Sequence, residues 1–343
     1  MNNAPIYDFR SDTVTVPDDA MRKAMAIAEV GDDVYGEDML ASKLEADVAA
    51  LLGKQAGLFV SSGTQSNLIA MLTHAARGEE VISGAQYHSL FYEAGGIAAL
   101  GGVIPCPVPV HTDGSISLDD VQKAVKKDDF HYPVSRLLAL ENTHNGLVQS
   151  PQHLQSLCDL AHENGLSTHL DGARLMNAVI ASNISASEFS GCFDTVSLCL
   201  SKGLGAPVGS VLVGTEEFIS RARRLRKMLG GGMRQIGIMA SAGLYAIEHN
   251  ISRLAQDHVR AKTLAQMLNE IADIHVKMDS VQTNMVYMQV PDRLKSSLPA
   301  SLRASNIKIS PAKEMFRLVV HKDIHDDAIS ALADGIAKAA ISA

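Results

Sequence analysis

The sequence predicts an α/β protein with a large, mainly parallel sheet followed by a smaller C-terminal α+β unit. Two observations carry that prediction. Apolar runs ending in a polar residue recur at Leu137 to Glu141, Leu166 to Asp171 and Thr195 to Lys202. The intervals from Glu141 to Asp171 and from Asp171 to Lys202 are 30 and 31 residues, room for one crossover helix each time. All three ends should therefore emerge at one carboxyl edge of a parallel sheet, where open α/β sheets bind ligands. With 343 residues, 46% hydrophobic and 20% charged, the chain can bury a full core and divide in two.

In chain order, residues 1–20 read as an N-terminal arm, 21–250 as the large domain and 251–343 as the small domain. Gly57 to Val60 is a strand, Ser61 to Gln65 a tight turn, and the run from Ser66 a helix. A long helix from Ile251 enters the small domain, where 284–290 and 316–320 read as strands and helices fall near 293–305 and 325–340. No internal repeat or low-complexity tract interrupts this order.

The strand ends carry the chemistry. Lys202, in Ser201-Lys202-Gly203-Leu204-Gly205, sits where a buried strand ends, and a lysine there can lose its proton and attack a carbonyl. Alone it is a common surface feature. In the turn, Gly63 permits close backbone approach, Ser62 and Thr64 offer hydroxyls, and the open helix amides favour an anion. It lacks both G-x-G-x-x-G and the Gly-Lys-Ser/Thr of a P-loop, and by itself it is an ordinary helix cap. Together with Asp171, a carboxylate for a ring nitrogen, these parts describe a pyridoxal phosphate site. A carboxylate and a pyridinium ~4 Å apart, at an effective dielectric of ~20, attract by roughly 4 kcal/mol before desolvation.

Other classes are disfavoured. The net charge of −8 argues against nucleic acid, and the basic run Arg221 to Lys227 reads as a solvated helix leading into Gly230-Gly231-Gly232. The longest apolar stretch, Ile97 to Val110, is too short and too rich in Gly and Pro to span a bilayer, and Met1 to Pro5 has no signal character. Cys106, Cys158, Cys192 and Cys199 form no C-x-x-C pair and read as small buried residues of a cytoplasmic protein. His162 and His169 with Asp171 lack a second ligand pair, so no metal is expected.

Six ordered motifs carry a family resemblance. They are Phe9 to Thr15, Val30 to Gly36, Leu140 to Gly146, His169 to Arg174, Leu200 to Gly205, and Gly230 to Gln235. Through them the chain resembles the low-specificity L-threonine aldolases from about residue 6 to its end. The resemblance implies an aspartate aminotransferase-type (fold type I) pyridoxal phosphate enzyme that cleaves L-threonine and L-allo-threonine to glycine and acetaldehyde. It implies that Lys202 carries the cofactor as a Schiff base, Asp171 binds the pyridine nitrogen and Arg174 lies beside the cofactor. It further implies that Gly63-Thr64 holds the phosphate and that His88 stacks on the ring. Ser11 and Arg317 would hold the substrate carboxylate, and His144 would approach the β-hydroxyl, with Tyr35 also near Cβ. Lys227 and Arg234 would reach an active site across a subunit boundary, which implies a homotetramer built as a dimer of dimers.

Independent support exists for Arg317, since an inward arginine in an apolar strand is costly unless its fork meets an anion. His144 gains support from lying on the edge that carries Asp171 and Lys202. The rival class is a serine hydroxymethyltransferase-like or β-eliminating fold-type-I lyase, which would share the cup, Asp171 and Lys202.

Overall fold

Seven strands form the central sheet in the computed structural model, which describes residues 6–312 and 314–342. Met1 to Pro5, read above for a signal, lie outside the described residues. Side by side the strands run Ala56–Val60, Ser210–Gly214, Thr195–Cys199, Ser167–Gly172, Ser135–Glu141, Glu80–Gly84 and Ile104–Val108. Only Ser210–Gly214 is antiparallel to its neighbours. The other six therefore share one direction, and Val60, Glu141, Gly172 and Cys199 end on a common edge. Thr195–Cys199 is buried along its whole length, as strands covered by helices on both faces require.

The turn after Val60 becomes the helix Gly63–His74, with Ser62 as N-cap accepting from the Gln65 amide. The loop after Lys202 returns to the sheet at Gly209, whose φ is +102°. A side chain there would also strike the Phe59 ring, 2.4 Å from an ideal Cβ, so glycine is required twice over.

Of four apolar clusters among the described residues, the two largest form separate cores. One runs from Met21 to Leu254 around the sheet, and the other gathers Ala261 to Ile336 with Phe9 of the arm. The second core lies under a three-stranded antiparallel sheet, Phe316–Val319, Met285–Gln289 and His275–Val276, packed by Leu254–Asn269 and Asp326–Ser342. The stretch expected as one helix near 293–305 is two short ones, Asp292–Lys295 and Leu298–Arg303. The arm strand Tyr7–Asp8 pairs in parallel with Ile307–Lys308, so the arm folds back onto the C-terminal unit.

One expectation needs correcting. The basic run lies on the helix Glu216–Met228, but it is not uniformly solvated. Arg226 is buried, bonded to the Phe59 carbonyl at 2.8 Å and to Asp33 at 2.6 Å, while Arg223 pairs with Glu45 at 2.7 Å. Burying a guanidinium is tolerable there because carboxylates and a carbonyl meet it.

Candidate active site

Register places Glu141 beside Asp171 and Asp171 beside Ser197 on the carboxyl edge, with Lys202 just beyond Cys199. The backbone of the lysine loop is held from three sides. The Lys202 carbonyl accepts from the Thr15 hydroxyl at 3.0 Å, that of Gly203 from Arg253 at 3.1 Å, and that of Leu204 from Asn250 at 2.7 Å. Among the described residues the half-buried Lys202 amine itself has no hydrogen-bond or ion-pair partner. Its charge is nevertheless felt by Asp12 and His88. A fixed backbone with an uncommitted amine suits a group that must reach a carbonyl.

Asp171 is buried, and both its oxygens accept: Oδ1 from the Ala173 amide at 3.0 Å and Oδ2 from Asn67 Nδ2 at 2.8 Å. The same Asn67 amide donates to Glu93 Oε1 at 2.9 Å, and Glu93 Oε1 meets His88 Nδ1, also at 2.9 Å. The hydrogen bond to Glu93 raises the His88 pKa against the opposing effect of burial, while burial raises that of Glu93. His88 is anchored a second way, since Glu141 Oε2 accepts its backbone amide at 2.6 Å. Its side chain remains 43% exposed, with the Tyr92 ring 5.6 Å away. Atoms of His88, Glu93 and Asp171 lie within 4.8 Å of one another, which a metal could use, but the Asn67 amide points its donors at both carboxylates.

At the turn, the first intrahelical bond runs from the Ser66 amide to Ser62, so the Gly63 and Thr64 amides precede it and open outward. The Ser62 hydroxyl accepts from the Gln65 amide as the cap, which leaves its own O–H available as a donor. Ser210 Oγ is buried without a hydrogen-bond partner among the described residues and lies 3.7 Å from where a Gly63 Cβ would be. A buried hydroxyl without a partner is costly, and it lies beside two open amides. Amine, carboxylate and anion cup together fit the aldehyde, ring nitrogen and phosphate of pyridoxal phosphate.

The arm crosses this edge. Asp12, fully buried, takes both Arg174 Nε at 2.8 Å and Nη2 at 2.5 Å. Burial pushes the Asp12 carboxyl up, but the Arg174 guanidinium, helped by Lys202 and His321, outweighs it and holds the value at about 2. Arg317, across the strand pair from Tyr287, reaches the Arg10 carbonyl at 3.4 Å, next to Ser11. Arg317 and Arg174 both act on the Tyr287 hydroxyl, whose pKa is raised chiefly by burial. His144 is buried, with Nδ1 3.2 Å from Glu141 Oε1 and its ring 5.1 Å from that of Tyr87.

Lys202, Asp171, His88, Gly63, Thr64, Arg174 and His144 thus gather on one edge, and Ser11 and Arg317 lie together beside it. Tyr35 and Arg234 do not join them within one chain. Tyr35 is 76% exposed, and Arg234 pairs with Asp32 at 3.0 Å, the Asp33 amide bonding to its carbonyl. Lys227 packs its side chain against Gly232. Sequence reasoning missed Asn67, Glu93, Asp12 and Ser210, and took Glu141 only as a strand end. Asn67 carried a faint signal, a polar residue on the helix face just past the cup.

Comparison with known proteins shows the family and the fold. The family described as beta-eliminating lyase matches residues 8–291. The Escherichia coli (strain K12) protein named low specificity L-threonine aldolase is 44% identical over 96% of this chain and 97% of its own. An Arabidopsis thaliana protein named probable low-specificity L-threonine aldolase 2 is 44% identical over 93% of each chain. Among solved structures, a Leishmania major threonine aldolase superposes with a TM-score of 0.83 at 22% identity, covering 97% of this chain and 98% of its own. A Sphingomonas wittichii serine palmitoyltransferase gives 0.78 at 16% identity over 99% and 88%.

Proposed function

Since the chain belongs to the beta-eliminating lyase family and, within it, to the low-specificity L-threonine aldolases, we propose that its carboxyl edge binds pyridoxal phosphate and cleaves L-threonine and L-allo-threonine to glycine and acetaldehyde. The observation that carries this reading is the uncommitted Lys202 amine on the same edge as the doubly anchored Asp171 carboxylate.

Lys202 is the amine for the cofactor aldehyde, Asp171 the partner of its ring nitrogen, and the Gly63 and Thr64 amides with the Ser210 hydroxyl the phosphate site. The bound cofactor supplies an electron sink for the pair released at Cα. His88 offers its part-exposed ring. Arg317 and Ser11 bind the substrate carboxylate, and the orientation they impose selects the Cα–Cβ bond for cleavage. Arg174, held by its ion pair with Asp12, presents an oriented guanidinium beside them. His144, oriented by Glu141, receives the β-hydroxyl proton directly or through a water while the Cα–Cβ bond breaks. The aldehyde leaves, Cα takes a proton, and glycine is released. Only an L-configured Cα satisfies the clamp, whereas the histidines at Cβ can serve either hydroxyl configuration.

We further read the chain as a cytoplasmic homotetramer with no catalytic metal, in which Tyr35, Lys227 and Arg234 serve a neighbouring site. Exposed Val34, Tyr35, Met39, Met228 and Ile238 support a subunit contact there, and four free cysteines suit a reducing compartment. We also read domain limits near residues 20 and 250, a reading supported by Met21 to Leu254 lying in one core and Phe9 with Ala261 onward in the other.

The test is turnover of the four threonine stereoisomers, with aldehyde and glycine measured separately, followed by borohydride reduction and peptide mapping. We expect aldehyde from both L-isomers, none from the D-isomers, and the pyridoxyl group on Lys202. Ammonia and a keto acid in place of aldehyde and glycine would overturn the aldolase reading, and a label on another lysine would overturn the site.

A further inference from the structure

Behind Asp171 runs a line of polar side chains that the reaction as derived leaves unused. Asn67 Oδ1 lies 3.2 Å from His169 Nε2, His169 Nδ1 lies 2.9 Å from the Thr195 hydroxyl, and that hydroxyl lies 2.9 Å from His74 Nε2. Asn67, His169 and Thr195 are each at most 1% exposed. Their partners come from one helix and two adjacent strands, Gly63–His74, Ser167–Gly172 and Thr195–Cys199.

Donor and acceptor chemistry allows this line one polarity. A carboxylate only accepts, and Asn67 Nδ2 faces two of them, Asp171 at 2.8 Å and Glu93 at 2.9 Å, which spends both of its hydrogens. Asn67 Oδ1 can then only accept, so His169 must carry its proton on Nε2 and leave Nδ1 bare. The Thr195 hydroxyl must donate to that bare nitrogen, and its oxygen accepts from His74 Nε2–H. Burial, chiefly, holds the His169 pKa down at about 4 and that of His74 at about 3, so both rings stay neutral near pH 7 and the polarity is not scrambled by protonation. Every donor in the line is matched, and the line ends on the carboxylate meant for the ring nitrogen.

We propose that Asn67 is a positioning residue for Asp171 and that His169, Thr195 and His74 lock the Asn67 amide in the one orientation that donates to Asp171. The inference rests on the reading of Asp171 as the partner of the pyridine nitrogen. Its consequence is that the Asp171 carboxylate is held in one orientation, with one oxygen on the Ala173 amide, one on Asn67, and a lone pair left over for the ring. Through Glu93 the same amide also sets His88, so ring nitrogen and ring face are registered by a single side chain.

The experiment uses the full chain with pyridoxal phosphate, comparing wild type, Asn67→Leu, Thr195→Val and Thr195→Ser. Readouts are the visible absorption of the bound cofactor, its dissociation constant by titration, and kcat and KM for threonine. Asn67→Leu should weaken cofactor binding about tenfold to a hundredfold, the worth of one charge-assisted hydrogen bond, shift the visible band, and lower kcat more than it raises KM. Thr195→Val, which keeps the volume but removes the hydroxyl, should move the band and the dissociation constant the same way, and Thr195→Ser should restore both. An unchanged spectrum and dissociation constant in folded Asn67→Leu or Thr195→Val overturns the inference while leaving the cofactor reading intact. A wild type that binds no pyridoxal phosphate removes both. Nitrogen-15 NMR of the wild-type histidines gives a check that needs no variant to fold: both His169 and His74 should be neutral with the proton on Nε2, and an Nδ1–H on His169 would refute the polarity.

Discussion

Replacing Asp12 by Asn tests the contact that ties the arm to the large sheet. The carboxylate is fully buried and takes two charge-assisted hydrogen bonds from Arg174, at 2.8 and 2.5 Å. The fall of its pKa from 3.8 to about 2 is worth about 2 kcal/mol of native stability at neutral pH. The variant also leaves Arg174, 15% exposed, with a buried charge and no counter-ion. Losing one partner of such a pair costs about 3–5 kcal/mol, so the loss should lie at or above the linkage figure. Urea denaturation of the two proteins at pH 7, with saturating cofactor, reads it directly. The sign of the pH effect follows from the depressed value. Because the folded pKa lies below the unfolded one, the stabilisation is complete above 3.8 and is lost as pH falls through about 2. The gap between wild type and variant should therefore shrink on acidification, with about half of the linkage share gone by pH 3. A variant within about 0.5 kcal/mol of wild type at pH 7, or a gap that widens as pH falls, would refute the role given to this pair.

Two further outcomes are expected. Asp171→Asn keeps the shape but removes the charge that holds the ring nitrogen protonated, so kcat should fall by about two to three orders of magnitude, read by coupled aldehyde assay; near-parental turnover would place the electron sink's partner elsewhere. Arg317→Lys keeps the charge but loses the bidentate fork, so KM for threonine should rise about tenfold while kcat changes less, and an unchanged KM would remove Arg317 from the carboxylate site.

What the sequence shows of this fold is what periodicity and spacing can encode. The 30- and 31-residue intervals place Glu141, Asp171 and Lys202 on one edge because each spans one crossover back to the same side of the sheet, although the second holds two short helices, Leu175–Ser182 and Ala186–Ser190, where one was expected. The antiparallel strand Ser210–Gly214, wedged between Ala56–Val60 and Thr195–Cys199, has the same apolar pattern as a parallel one, so its direction is not readable locally. The hidden site residues share a different cause. Asn67 reaches Asp171 across 104 positions, and Asp12 reaches Arg174 across 162. Each is a short polar residue whose type suits a cap or a surface as well as a buried network, and only tertiary contact tells these apart. Arg226 was misread for the same reason, its partners Phe59 and Asp33 being 167 and 193 residues away.

The division of labour across the two cores has a consequence for how damage should sort. The groups proposed for the cofactor, Lys202, Asp171, His88 and the Gly63 turn, stand on elements of the large sheet, whereas Ser11 and Arg317, proposed for the substrate carboxylate, stand on the arm and on the C-terminal sheet. Several contacts bridge the halves, among them Asp12 with Arg174, Thr15 with the Lys202 carbonyl, Arg253 with the Gly203 carbonyl, His258 with Asn177 and Thr283 with the Gly146 carbonyl. Loosening the first should let the carboxylate clamp drift while Asp171 keeps its own anchors on Asn67 and Ala173. Asp12→Asn should accordingly raise KM for threonine with the cofactor's absorption band unmoved, and Asp171→Asn should move the band and kcat with KM nearly unchanged. A shifted band in Asp12→Asn would show that the arm holds the cofactor as well as the substrate, and that the bridge through Thr15 to the lysine loop transmits more than position.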